Sequence, residues 1–188
     1  MSIFKAVNGT NRIDTLPDKI AYLIDPKKNN FNLLQSWMEA ALVRECAPQY
    51  VFSDIGIQIF RGFGFFNTVV RNNQMLYGQP WKKAYDHFII RFDKADAKVP
   101  PQQIYEALFD ILFLFCHNMG GQYVGLMAYH FDTEIPHAHY LIDTIDFRNG
   151  HRRNLNRKEF CILRLRIARV LHSHGLTPLK FKLPKKKK

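Results

Sequence analysis

Thr133 to Pro136 is all that separates two strand-like stretches, QYVGLMAYHFD (Gln122 to Asp132) and HAHYLIDTIDF (His137 to Phe147). Four residues suffice for a hairpin turn and are far too few for the crossover that parallel strands need. Any fold for this chain must therefore hold these strands as antiparallel neighbours. Side chains alternate along a strand, so Ala138, Tyr140 and Ile142 share one apolar face. His137 and His139 share the other, and His130 and Asp132 likewise share a face of the preceding strand.

A four-residue turn pairs Asp132 with His137 and His130 with His139. Directly opposed Cβ atoms lie about 4.5–5.5 Å apart, close enough for His130, His137 and His139 to converge on one ion. Three neutral imidazoles with open positions suit a catalytic divalent metal rather than a closed structural site. Mn, Zn, Co and Ni accept such ligands, and Mg binds weakly with substrate oxygens completing its shell. Asp132 is placed to accept an imidazole N–H or to orient a reacting group. The competing reading is a solvated strand face with scattered histidines; a lone His-x-His is a weak signal, strengthened here by the third histidine and the same-face acid. His87 lies in a strand and could approach, with a structural role as the default. His117, His151, His172 and His174 sit near helix ends or a turn, where surface roles are expected.

The rest of the chain supplies the other layers. IFKAV (Ile3 to Val7) and AYDHFIIRF (Ala84 to Phe92) read as strands. TLPDKIAYLIDP reads as a helix with Thr15 as N-cap, Pro17 in its first turn and a stop near Ile24, ahead of Pro26. Its apolar stripe is Leu16, Ile20, Leu23 and Ile24, and Tyr22 points away from it. NNFNLLQSWMEAALVREC is a second expected helix. Between Tyr50 and Pro80, Gly62 and Gly64 suggest a loop before a helix over 66–76. PPQQIYEALFDILFLFCHNMG reads as a helix closed by Gly120, and NLNRKEFCILRLRIARVLHSHGL as a long one with Asn156 and Glu159 as a capping pair and Gly175 as its stop. Two strand–helix–strand units sharing a sheet give an α+β fold, a largely antiparallel sheet with helices on one face in a ferredoxin-like arrangement.

Charge is uneven. Of 27 Lys and Arg, 14 lie between Arg148 and Lys188 against one acid, Glu159, while the rest of the chain holds 13 against 15 acids. A basic segment on a near-neutral body points to a polyanion, nucleic acid above all; a solubilising surface with an inert lysine tail is the alternative. Cys46, Cys116 and Cys161 are odd in number and widely spaced, as expected of thiols in a reducing compartment. No apolar run approaches the roughly 18 residues of a membrane span and none resembles a signal peptide, so a cytoplasmic chain with no membrane partner is expected.

HFDTEIPHAHYLID resembles the third motif of relaxases, the mobilisation nucleases of plasmids and conjugative elements within the HUH endonucleases. That motif runs His-x-Asp-Thr, a short gap, then His-x-His, filled here by His130, Asp132, Thr133, His137 and His139. KIAYLIDPKK is similar to the first motif, a tyrosine in a short apolar segment ending at a Pro-Lys turn. YDHFIIRFD is similar to the second, and RNGHRRNLNRKEFCILRLRIARVLHSHGLTPL to the basic turn and helix of bacterial members. Three departures stand out. Arg91 replaces the usual Ser of the second motif, Glu134 and Pro136 replace the more usual polar residues of the gap, and the chain stops soon after a nuclease domain that many relatives extend.

The resemblance implies a relaxase (HUH nuclease) domain over 1–178 and a basic, disordered tail over 179–188. It implies site- and strand-specific DNA nicking and rejoining, with Tyr22 as nucleophile and a 5′-phosphotyrosyl intermediate. Asp132 is then base or histidine orienter, and His130, His137 and His139 hold a divalent ion, Mn or Mg first and Zn, Co or Ni next. The substrate is single-stranded DNA at a transfer origin, contacted by Arg148, Arg152, Arg153, Arg157 and Lys158, with nearby aromatics free to stack on bases. A bacterial cytoplasmic monomer, joined by accessory relaxosome proteins, is expected. Two other functions remain open: a single-strand-binding module that does not cleave, and a metal-dependent phosphodiester hydrolase that uses water.

Overall fold

The computed structural model describes residues 2–7, 11–23, 59–77, 83–117, 122–130, 135 and 137–179. The expected helix from Asn29 to Cys46 lies outside them, as do Asp132, the stop near Ile24 and Gly120. Four strands form one sheet: β1 (Ile3–Ala6), β2 (Tyr85–Arg91), β3 (Gly125–His130) and β4 (His137–Asp143), in the order β1-β2-β4-β3. Every neighbouring pair is antiparallel. The helices among the described residues are α1 (Leu16–Leu23), α2 (Ile59–Leu76), α3 (Pro101–Cys116) and α4 (Arg157–Ser173).

The α+β class and antiparallel sheet are as expected, with two refinements. β2, α3 and β3 form one strand–helix–strand unit, with β4 inserted between its strands, whereas β1 is a direct antiparallel neighbour of β2. The helices, expected on one face, cover both. On one face, Phe88, Ile90, Ala138, Tyr140 and Ile142 pack with Leu108, Ile111 and Phe115 of α3 and Leu163, Ile167 and Leu171 of α4. On the other, Leu126, Ala128 and Leu141 pack with Leu16, Ile20 and Leu23 of α1 and Phe66 and Val70 of α2. Both clusters follow from strand alternation, because these central strands are apolar on each side where a helix covers them.

Local signals were honoured unevenly. The Asn156 carboxamide accepts from Glu159 N at 3.0 Å, while the Glu159 carboxylate accepts from Asn156 N at 2.9 Å, a complete capping box. Gly175 ends α4 with φ +68°, a region that a Cβ disfavours. Thr15, the residue before α1, closes a one-turn 3-10 helix, Ile13–Thr15, and its hydroxyl donates to the Arg12 carbonyl. The helix expected from Phe66 begins at Ile59, running through Gly62 and Gly64. Glycine costs a helix about 1 kcal/mol relative to alanine but leaves its backbone hydrogen bonds intact.

The hairpin register also differs. Among the described residues His130 faces His137 and Ala128 faces His139. The register is thus offset by two from the expected one. An even offset keeps each side chain on its face, so the histidines still share one.

Candidate metal centre

His130 at the end of β3 and His137 and His139 on β4 bring three ligand nitrogens within 4.8 Å of one another. Their ring centroids lie 4.6 to 5.3 Å apart. Each ring is held from outside the triad or within it. The His130 Nε2–H donates to the Leu23 carbonyl, the last residue of α1, at 3.1 Å. That bond puts its proton on Nε2 and the lone pair on Nδ1. His139 Nδ1 meets His87 Nε2 from β2 at 2.9 Å, and His139 Nε2 is buried with no hydrogen-bond partner among the described residues.

A buried, unpartnered nitrogen beside two more imidazoles is what a divalent ion would satisfy, so these residues fit such a group. Burial first, then the neighbouring imidazoles and Lys19, push His139 down to about 2. Burial and Lys19 bring His87 to about 4. Both rings are therefore neutral near pH 7, the form in which a histidine is a ligand.

Tyr22 projects from the penultimate position of α1. Its ring lies 5.8 Å, centroid to centroid, from both His130 and His139, and the residue is 43% exposed. Eight residues make too short a helix to hold itself in water. Burial of Leu16, Ile20 and Leu23 against β3, β4 and α2 is what seats Tyr22 over the triad. Ile24 lies outside the described residues. Lys19, one turn before, sets its ammonium 5.7 Å from the Tyr22 ring centroid.

Other tyrosines are poorly suited to react. Tyr129 and Tyr140 pack in the cluster on the opposite face. Burial pushes both hydroxyls well up, and Tyr140 Oη donates to the Leu108 carbonyl. Tyr85 shares the triad's face but is buried, which raises it, and its hydroxyl bonds with Thr15.

The five basic residues expected on DNA do not gather at the triad. The Arg153 guanidinium pairs with the Asp86 carboxylate at 2.8 Å, donates to the Phe115 carbonyl, and lies 4.6 Å from the Tyr123 ring centroid. Arg152 donates to Gln74, Thr144 and the Lys83 carbonyl. Arg148 pairs with Asp146 at 2.8 Å. All three tie down the segment after β4, beyond the end of that strand opposite to His137. Arg157 and Lys158 are exposed in the first turn of α4.

Arg153→Ala removes the buried one of the two cations on Asp86, which keeps Lys83, and takes the donor from the Phe115 carbonyl; it is expected to cost about 1–3 kcal/mol. A thermal melt checks this, and a melt like that of the wild type would show the pair to be dispensable. The cations that do flank the triad were not singled out as contacts from sequence: Arg91, directly across from His137, and Lys5, across from Ile89, are exposed on the triad's face. The usable signal was strand parity, which places Arg91 beside His137 only once the pairing of β2 with β4 is known.

A family model described as a relaxase, MobA/VirD2-like nuclease domain, matches residues 64–176. The match spans His87 and the three histidines and begins downstream of Tyr22. Among solved structures, the chain is similar to the MobM relaxase domain (MOBV; Mob_Pre) bound to oriT DNA of plasmid pMV158 with Mn. The TM-score is 0.60 at 16% identity, over 100% of this chain and 93% of that one. A second structure of that domain, with DNA carrying a 3′-thiophosphate, matches with a TM-score of 0.58 at 16% identity. At such identity these likenesses establish the fold. A comparison with curated protein sequences finds no match.

Proposed function

The chain belongs to the MobA/VirD2-like relaxase nuclease family, and from that premise we propose that it nicks and rejoins one DNA strand at a transfer origin in the bacterial cytoplasm, starting mobilisation of a plasmid or integrative element. The observation that carries this reading is Tyr22, half-exposed and seated 5.8 Å from the two buried members of a triple-histidine cluster.

A divalent ion held by His130, His137 and His139, Mn or Mg in the first instance, would polarise the scissile phosphate and offset charge in the transition state. Tyr22 Oη attacks phosphorus, its phenolic proton leaves, and the bond to the 3′-oxygen breaks. The products are a 5′-phosphotyrosyl link and a 3′-hydroxyl, which takes up a proton. The ester bond count is unchanged, so the strand can be rejoined by the reverse step. Asp132 serves as base or histidine orienter. Mn-bound, DNA-bound relaxase domains of the same fold support the choice of ion and substrate.

Substrate contact is assigned to Lys5, Lys19 and Arg91 around the triad, with Arg157 and Lys158 as exposed cations in the first turn of α4. Arg91→Ala is expected to weaken single-strand binding about equally for all sequences and to reduce the salt slope of log K by about 0.7. Fluorescence anisotropy across a salt series checks this; an unchanged slope would remove Arg91 from the phosphate path.

The reading as a whole is tested by incubating the protein with Mn²⁺ and single-stranded oligonucleotides spanning its own element's transfer origin. A covalent protein–DNA adduct resistant to denaturant supports it. Cleavage without an adduct indicates a hydrolase using water, and binding without cleavage a non-catalytic module.

A further inference from the structure

His87 belongs to β2, whose Ile89 lies directly across from His139 on β4. His87 is therefore the diagonal neighbour of His139 on the same face, a relation within reach of long and aromatic side chains. The two rings are stacked at 29°, with centroids 5.2 Å apart, and His87 Nε2 lies 2.9 Å from His139 Nδ1. Both residues are buried, so water does not compete for either nitrogen.

That single bond has two tautomeric forms. In one, His87 Nε2–H donates to His139 Nδ1, and His139 carries its own proton on Nε2. In the other, His139 Nδ1–H donates to His87 Nε2, and the lone pair of His139 is on Nε2. His87 Nδ1 has no partner among the described residues in either form, so the forms differ chiefly at His139 Nε2. Only the second leaves there a lone pair that an ion can use.

We propose that His87 is the positioning residue of the metal centre: its Nε2 accepts the Nδ1–H of His139 and so holds the ring in the tautomer and orientation that present Nε2 to the ion. This rests on the metal-centre reading above. His87 touches neither ion nor DNA. It does for His139 what the Leu23 carbonyl does for His130, so the ligands from both strands of the hairpin are steered by neighbours supplied from α1 and β2. Partners of this kind are worth about 10- to 100-fold in metal affinity.

The test is Mn²⁺ binding by isothermal titration calorimetry, together with imidazole ¹⁵N NMR of the Zn²⁺-loaded wild-type protein. His87→Ala is expected to weaken Mn²⁺ affinity about 10- to 100-fold, and His87→Gln, whose amide oxygen can accept the same N–H, to recover most of it. The NMR experiment needs no substitution and is expected to show His139 protonated on Nδ1 and coordinated through Nε2. Equal affinity in the wild type and a folded His87→Ala would overturn the proposal, as would coordination of His139 through Nδ1. A wild-type protein that binds neither ion would overturn the metal centre itself, a different failure from that of His87 alone.

Discussion

Tyr22→Phe is expected to lower nicking by at least ~10³-fold and to abolish the covalent adduct, since it removes the attacking oxygen and nothing else. The aromatic ring, its edge contacts with His130 and His139 and the Lys19 ammonium beside it all remain available to phenylalanine. Fold, Mn²⁺ affinity and single-strand affinity should therefore stay close to wild type. Denaturing gels of protein incubated with labelled oligonucleotide read adduct and nicking together. An adduct that persists in Tyr22→Phe would move the nucleophile elsewhere, and no buried tyrosine described above is placed to take over.

The second large effect is at the ligands. His137→Ala is the cleaner substitution, because His137 is only partly buried whereas His130 and His139 lie in the interior. A bound divalent ion contributes several kcal/mol of charge stabilisation in a reaction of this class, so losing one of three ligands is expected to cost about 10³-fold in nicking at limiting Mn²⁺. Calorimetry should show Mn²⁺ affinity falling in parallel, and excess Mn²⁺ should restore part of the rate. Single-strand binding should persist, since Lys5, Lys19 and Arg91 are untouched. Nicking unchanged in both His137→Ala and His139→Ala would sink the metal-centre reading.

These two effects differ in how far they were legible beforehand. The triad could be read from spacing alone, and it survived an error in register. A four-residue turn would pair His130 with His139, and in the sheet His130 pairs with His137. Because side-chain direction repeats every two residues, a two-residue slip leaves every histidine on its face; a slip of one would have dispersed them. Tyr22 was legible as a residue off the stripe formed by Leu16, Ile20 and Leu23. That the stripe docks so as to lay the tyrosine across the triad depends on α1 meeting strands more than a hundred residues away.

The arginines show the opposite case. In sequence, Arg148, Arg152 and Arg153 look like a phosphate track beside the metal strand. In the fold, Arg153 finds Asp86 at a separation of 67 residues, and Arg152 finds Gln74 at 78. A charge count cannot distinguish a cation awaiting a ligand from one already paired inside the protein.

Periodicity and local chemistry thus determined the antiparallel hairpin, the shared histidine face, the capping box of α4 and the core stripe of α1, because each depends on neighbours a few residues apart. Tertiary structure alone decided which helix covers which face of the sheet, that His87 reaches His139, that Leu23 anchors His130, and which basic side chains remain open to a polyanion. Those outcomes turn on contacts between distant segments, and nothing in the local pattern of either partner specifies them.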